Sequence, residues 1–184
     1  MLFTLTMKNI YLAFAFILLA STAHAQTLHS LTKSAVTFEI KNLGIKTGGS
    51  IGGLKADIKF DPADLNKSKI EASIDATSIN TDNTLRDEHL RGDNYFNTAV
   101  YPKILMTSTG FKSKGGNSFI GLFDITIKNK TKPVTVPFTY SATGNAATFK
   151  GNFKINRRDF GVGGNSMTLG DEVTILLTVE TVKQ

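Results

Sequence analysis

The chain has 184 residues, of which 41% are hydrophobic and 20% charged, with 13 phenylalanines and neither cysteine nor tryptophan. The lack of cysteine excludes disulfides, thiol catalysis and thiolate metal sites. The net charge of +6 is spread along the chain with lysines alternating with acids, which reads as a solvated surface and not as a nucleic-acid-binding stripe.

The first element is a targeting segment. Met1–Asn9 carries Lys8 and no acid, Ile10–Ala20 is an unbroken apolar run, and Ala23-His24-Ala25 puts small residues where a signal peptidase reads. The run is well short of the roughly 20 residues that a spanning helix needs. Residues 1–25 are therefore expected to be a signal peptide cleaved near Ala25-Gln26, leaving a single periplasmic or secreted domain over 26–184. No cysteine stands at the cleavage point to accept a lipid. Removing Lys8 from 21 basic side chains leaves 20 against 15 acidic ones, a net of +5.

Beyond it, alternation of apolar and polar residues predicts strands. The runs are Val36–Ile40, Ala56–Phe60, Ile70–Ala76, Lys103–Gly110, Ser118–Lys128, Val134–Tyr140, Phe149–Ile155 and Val173–Val179. Turn signals separate them at Asp61-Pro62, Lys114–Asn117, Gly144-Asn145 and Gly170-Asp171. Pro133 and Pro137 predict an edge or a bulge in their strand. Eight strands with one apolar face fit either a two-sheet sandwich or a closed barrel.

The stretch from Thr77 to Pro102 does not alternate. A connection that long is functional or has structure of its own. A short helix is expected over 84–91, capped by Thr84, with an Asp87–Arg91 pair on its surface and Gly92 ending it. It carries Arg86, His89 and Arg91. Two readings stand on the residues alone: a solvated helix with internal ion pairs, or a polar site in which the arginines bind an anionic group and His89 serves as donor or as acid and base.

Other chemistry is thin. There is no Gly-x-Ser-x-Gly elbow, and Asp87-Glu88 and Asp171-Glu172 are adjacent carboxylates whose side chains diverge. His24, His29 and His89 have no metal-ligand spacing, so neither metal nor cofactor is expected. Gly161–Gly164 lacks the helix that a phosphate loop needs. Arg157 and Arg158 stand at a strand end and could add positive charge to the same polar site.

Taken in order, several motifs carry a family resemblance. They are Val36–Gly44, Ile58–Pro62, Ile74–Thr81, Arg86-Asp87-Glu88-His89-Leu90-Arg91, Tyr95-Phe96, Tyr101-Pro102, Thr131–Val134, Arg158–Gly161 and Gly170–Val173. The chain resembles the YceI-like family of exported polyisoprenoid-binding proteins from about Leu28 to Val182. It departs from the family pattern at Asn42, Gly92, Asn94 and Asn129-Lys130, all near the mouth.

The resemblance implies an all-β, eight-stranded antiparallel lipocalin-like barrel with the short helix in its long connection. It implies a long isoprenoid ligand, of quinone or prenyl phosphate type; with no positioned nucleophile or metal site in the sequence, no catalysis is expected. It carries Arg86, His89, Arg91, Tyr95 and Phe96 to the barrel mouth, where Arg158 would join them in orienting a polar head. The channel is expected between Phe38, Ile40, Phe60, Ile74, Phe123, Phe138, Tyr140, Phe153, Ile175 and Leu177. Contact with a membrane surface and pairing of two barrels are further expectations. The rival readings are a packed envelope interaction module without ligand, and an enzyme working through His89.

Overall fold

Strand β1 (Leu28–Asn42) closes the sheet into a ring. One of its edges pairs antiparallel with β9 (Leu169–Lys183), from His29 opposite Lys183 to Asn42 opposite Leu169. Its other edge pairs β2 (Ile45–Ser50) near the top and β3 (Lys55–Lys59) at Leu28 and His29. The ring continues through β4 (Lys69–Asp75), β5 (Lys103–Gly115), β6 (Ser118–Ile127), β7 (Lys130–Thr143) and β8 (Ala146–Asn156) back to β9. Nine segments thus fill eight positions, because β2 and β3 share one. The structure is a computed structural model that describes residues 27–184. The expected signal peptide lies outside the described residues.

The architecture is the eight-stranded antiparallel barrel that the resemblance implied. All eight alternating runs form strands, and each sends its alternate apolar residues inward, while Leu105, Ile120, Leu122 and Leu176 have the outward parity. The segment that alternation did not predict is β2. Its sequence Ile45-Lys46-Thr47-Gly48-Gly49-Ser50 has no apolar face, because Gly49 lies where the backbone of Asn80 presses against the strand and a Cβ would collide.

The upper half of the barrel has two seams. β2 pairs β1 but not β4; Ser50 bridges to Asn80 across that gap, and Gly52 just beyond β2 bonds Asp75 and Ser78. β7 pairs β8 only from Phe138 onward, so Lys130–Pro137 has no ladder on that side. Pro133 and Pro137 sit on this open stretch, where a missing N–H breaks no bond, which meets the expectation of an edge. Each seam is filled by a connection. The 76–102 segment with helix α1 (Thr84–Arg91) fills the first. The 157–163 segment, beginning with the 3-10 turn Arg157–Phe160, fills the second. The two fillers meet where Gly163 N donates to Asn94 O at 2.8 Å.

The helix differs from expectation in its polar bonds. Asn83, not Thr84, caps it, accepting from Arg86 N at 3.0 Å. Asp87 and Arg91 do not pair. Asp87 is buried and accepts from Thr81 N at 2.9 Å and Thr81 Oγ1 at 2.6 Å. Arg91 donates to Thr77 O at 2.8 Å and Ile79 O at 3.0 Å. β4 has ended there, so those carbonyls have no ladder, and a side chain must satisfy them.

The lower end is packed shut. Phe60 is 0% exposed and meets Phe111, Phe119, Phe138, Tyr140 and Phe149 with centroids 5.1–5.6 Å apart, all near edge-to-face.

Candidate ligand channel and its mouth

Two chambers lie on the barrel axis above the Phe60 floor. The lower one has a volume of about 180 Å³ and is lined by residues of every strand except β2 and by the 51–54 link. Ser73 is its one polar lining residue. The upper chamber, about 140 Å³, lies under the two fillers. Ile51, Ile104, Ile127, Ile155 and Ile175 line both, so the chambers meet at an isoleucine waist.

Alternation explains the lining. Phe149, Gly151, Phe153 and Ile155 point inward along β8, and the same parity carries on to Arg157. Arg157 is accordingly only 3% exposed and lines the upper chamber, while Arg158 faces out. All five N–H groups of Arg157 are used: Nε donates to Gly170 O, Nη1 to Val162 O and Gly164 O, and Nη2 to Leu169 O and Asp171 Oδ1, at 2.7–3.1 Å. It therefore knits the roof and presents charge to the chamber without an open donor. Gly163 lies against it; at φ +71°, a Cβ there would come within 2.8 Å of Tyr95 Cε1 and 3.1 Å of Arg157 Nη1.

The expected site residues divide into four groups. Arg86, Tyr95 and Phe96 line the upper chamber, as do Phe38 and Ile40. Arg86 is anchored by Nε to Thr81 Oγ1 at 2.7 Å and by Nη2 to Thr81 O at 2.6 Å, which leaves Nη1 without an acceptor among the described residues. Ile74, Phe123, Phe138, Phe153, Ile175 and Leu177 line the lower chamber. Phe60 and Tyr140 lie beneath it in the floor. His89 and Arg158 are exposed, and Arg91 is spent on backbone carbonyls; none of these three lines a chamber. Arg158 Nη1 instead reaches Asp171 Oδ2 at 3.2 Å on the outside.

Asn42, expected only as a departure near the mouth, lines the upper chamber, as do Thr47, Thr81 and Leu90, which the sequence did not single out as site residues. Sequence reading also passed over His29, placed at a chain end but 2% exposed in the floor. There Nδ1 meets Thr181 Oγ1 at 2.9 Å and Nε2 meets Phe60 O at 3.3 Å, with the ring edge-on to Tyr140 and Phe149. Burial is the main influence on this ring and holds its pKa below the ordinary histidine value. Among the described residues no group of three His, Asp or Glu side chains is arranged to hold a metal ion.

Known proteins share this barrel. BcnA of Burkholderia cenocepacia superposes with a TM-score of 0.78 at 28% identity, over 82% of this chain and 99% of its own. A polyisoprenoid binding domain from Saccharophagus degradans, implicated in plant cell wall breakdown, shares the fold at a TM-score of 0.68 and 13% identity, over 86% of this chain and 99% of its own. Protein YceI of Escherichia coli O6:H1 is 32% identical over 156 residues, 81% of either chain. With the YceI-like domain model matching residues 28–181, these relatives establish that the chain belongs to the YceI-like family.

Proposed function

We propose that this protein binds one long isoprenoid chain, of quinone or prenyl phosphate type, and carries or stores it in the cell envelope after export through the 1–25 signal peptide. The observation that carries this reading is the channel itself: a hydrocarbon-lined bore, dead-ended by Phe60, that turns polar only beneath the roof. A ligand with polar groups along its length would lose their hydration in the lower chamber and find only Ser73 there. A branched hydrocarbon tail loses nothing and gains about 25 cal/mol for each Å² buried. The binding described for the Saccharophagus degradans domain, which has the same fold, supports an isoprenoid as that tail.

The head would lie in the upper chamber among Asn42, Thr47, Thr81 and Arg86, with Arg86 Nη1 as its donor and Arg157 adding charge. Catalysis through His89 has no support here, since the ring lines neither chamber. The test is capture. Delipidated, folded protein should retain a polyprenyl phosphate of about ten units, at one per chain, through gel filtration, because only a long tail fills both chambers. A two-unit analogue should wash away. Failure to capture the long chain overturns the reading.

A further inference from the structure

The mouth end of the barrel has an apolar lip that the channel does not use. Leu43 and Ile45, at the β1–β2 turn, are 73% and 71% exposed. Met167, in the 164–168 loop that leads into β9, is fully exposed. The two loops are bonded to each other, Leu43 N donating to Thr168 O at 2.8 Å. None of the three side chains lines a chamber. Single exposed apolar side chains are ordinary, but three on two joined loops, next in sequence to Asn42 and Leu169 of the upper chamber lining, form a patch that needs a partner.

Charge says what that partner is. Neither 41–46 nor 160–168 contains an acid. Lys41 and Lys46 flank the lip, Lys46 reaching back to Glu39 at 3.6 Å, and exposed Lys130 and Lys132 stand at the same end of the barrel. Arg158 lies beyond them, held to Asp171. The acids nearest the lip in sequence are mostly paired, Glu39 with Lys46, Glu172 with Lys154 and Asp171 with Arg157 and Arg158, while Asp159 is exposed next to Arg158 and Asp82, Glu88 and Asp93 belong to the α1 connection. Apolar tips flanked by lysine, with three of the four nearest acids paired to basic side chains, match the surface of an anionic bilayer: the tips enter the acyl boundary and the lysines stay at the head groups.

We infer that Leu43, Ile45 and Met167 form a docking lip that seats the barrel mouth on anionic phospholipid membranes. The lip turns the upper end of the barrel toward the bilayer, so that a hydrocarbon tail passes between membrane and channel without crossing water. The inference rests on the isoprenoid reading for its purpose but not for its test.

The test is co-sedimentation of the mature, delipidated protein with vesicles of phosphatidylcholine containing about one third phosphatidylglycerol, against phosphatidylcholine alone. The native protein should bind the mixed vesicles, and less so in high salt. The triple variant Leu43→Ser, Ile45→Ser, Met167→Ser should bind about tenfold more weakly while capturing a polyprenyl phosphate as well as the native chain. All three positions are exposed, so the barrel should melt as before. Absence of native binding, or an undiminished triple variant, overturns the docking inference whatever the capture assay gives. Vesicle binding lost with the lip, in a protein that captures no isoprenoid, upholds docking and sinks the isoprenoid reading instead. A lip that mediates self-association in sedimentation velocity, with no vesicle binding, assigns the patch to a second copy and also overturns the inference.

Discussion

Arg157 and Asp171 are joined from Nη2 to Oδ1 at 3.0 Å, and the same carboxylate holds Arg158 from the outside through its other oxygen. One carboxylate therefore ties an inward arginine to an outward neighbour. The two arginines differ sharply in what they support. Arg157 satisfies four backbone carbonyls and one carboxylate in a site nearly closed to water. Arg158 makes a solvent-exposed pair.

Arg157→Ala should destabilise the barrel by about 3–5 kcal/mol, because the buried Val162 carbonyl and the part-buried carbonyls around it lose the donors that Arg157 supplies. Arg158→Ala should change stability by less than about 1 kcal/mol. Urea denaturation of the two variants side by side checks the contrast. Equal losses would mean that the roof is not held by Arg157.

The isoleucine waist gives a second prediction. Ile175 lines both chambers, so Ile175→Trp should fill the passage between them. Retention of a long ligand should fall more than tenfold, while stability changes by no more than about 1–3 kcal/mol, since the empty chambers absorb much of the added volume. Phe153→Trp and Ile74→Trp, which narrow the lower chamber alone, should shorten the longest tail retained. The readout is the chain-length distribution captured from a mixture of isoprenoids. An unchanged distribution in all three variants would place the ligand elsewhere.

The floor gives a pH prediction. His29 is buried among Tyr140, Phe149, Thr181 and the Phe60 carbonyl, with Lys183 over the Tyr140 ring. Burial, reinforced by the Lys183 charge, lowers its pKa in the folded state, against an opposing bond to Phe60 O. A folded pKa below the unfolded value of 6.5 means that the unfolded chain binds the proton more readily. The stability contribution is complete above pH 6.5 and is lost as pH falls toward the lowered folded value. Melting temperature should therefore drop between neutral and mildly acidic pH, and His29→Gln should flatten that slope. A slope that survives the substitution would assign it to other groups.

These features were unequally legible in the sequence. The inward faces of the strands follow directly from alternation, since a pleated strand has one period. The parity that buries Phe153 and Ile155 also predicts Arg157 inside and Arg158 outside, and was there to be read. β2 was not, because close approach of Asn80 demands glycine where alternation would need an apolar residue. His29 was hidden for a different reason: the ladder between β1 and β9 runs to the chain end, beyond the apolar run that marks the strand. Hollowness itself has no local signature. The phenylalanines that pack the floor and those that line the lower chamber sit in identical alternating contexts, and only closure of the ring separates Phe60 from Phe123.

The central claim is that the bore holds a long isoprenoid tail. The most direct measurement is mass spectrometry of an organic extract from the mature protein, purified from its native host without detergent. A single isoprenoid species is expected, near one per chain, and reduced more than tenfold in extracts of Ile175→Trp. A folded native protein that yields no isoprenoid, or the same yield from both proteins, would contradict it.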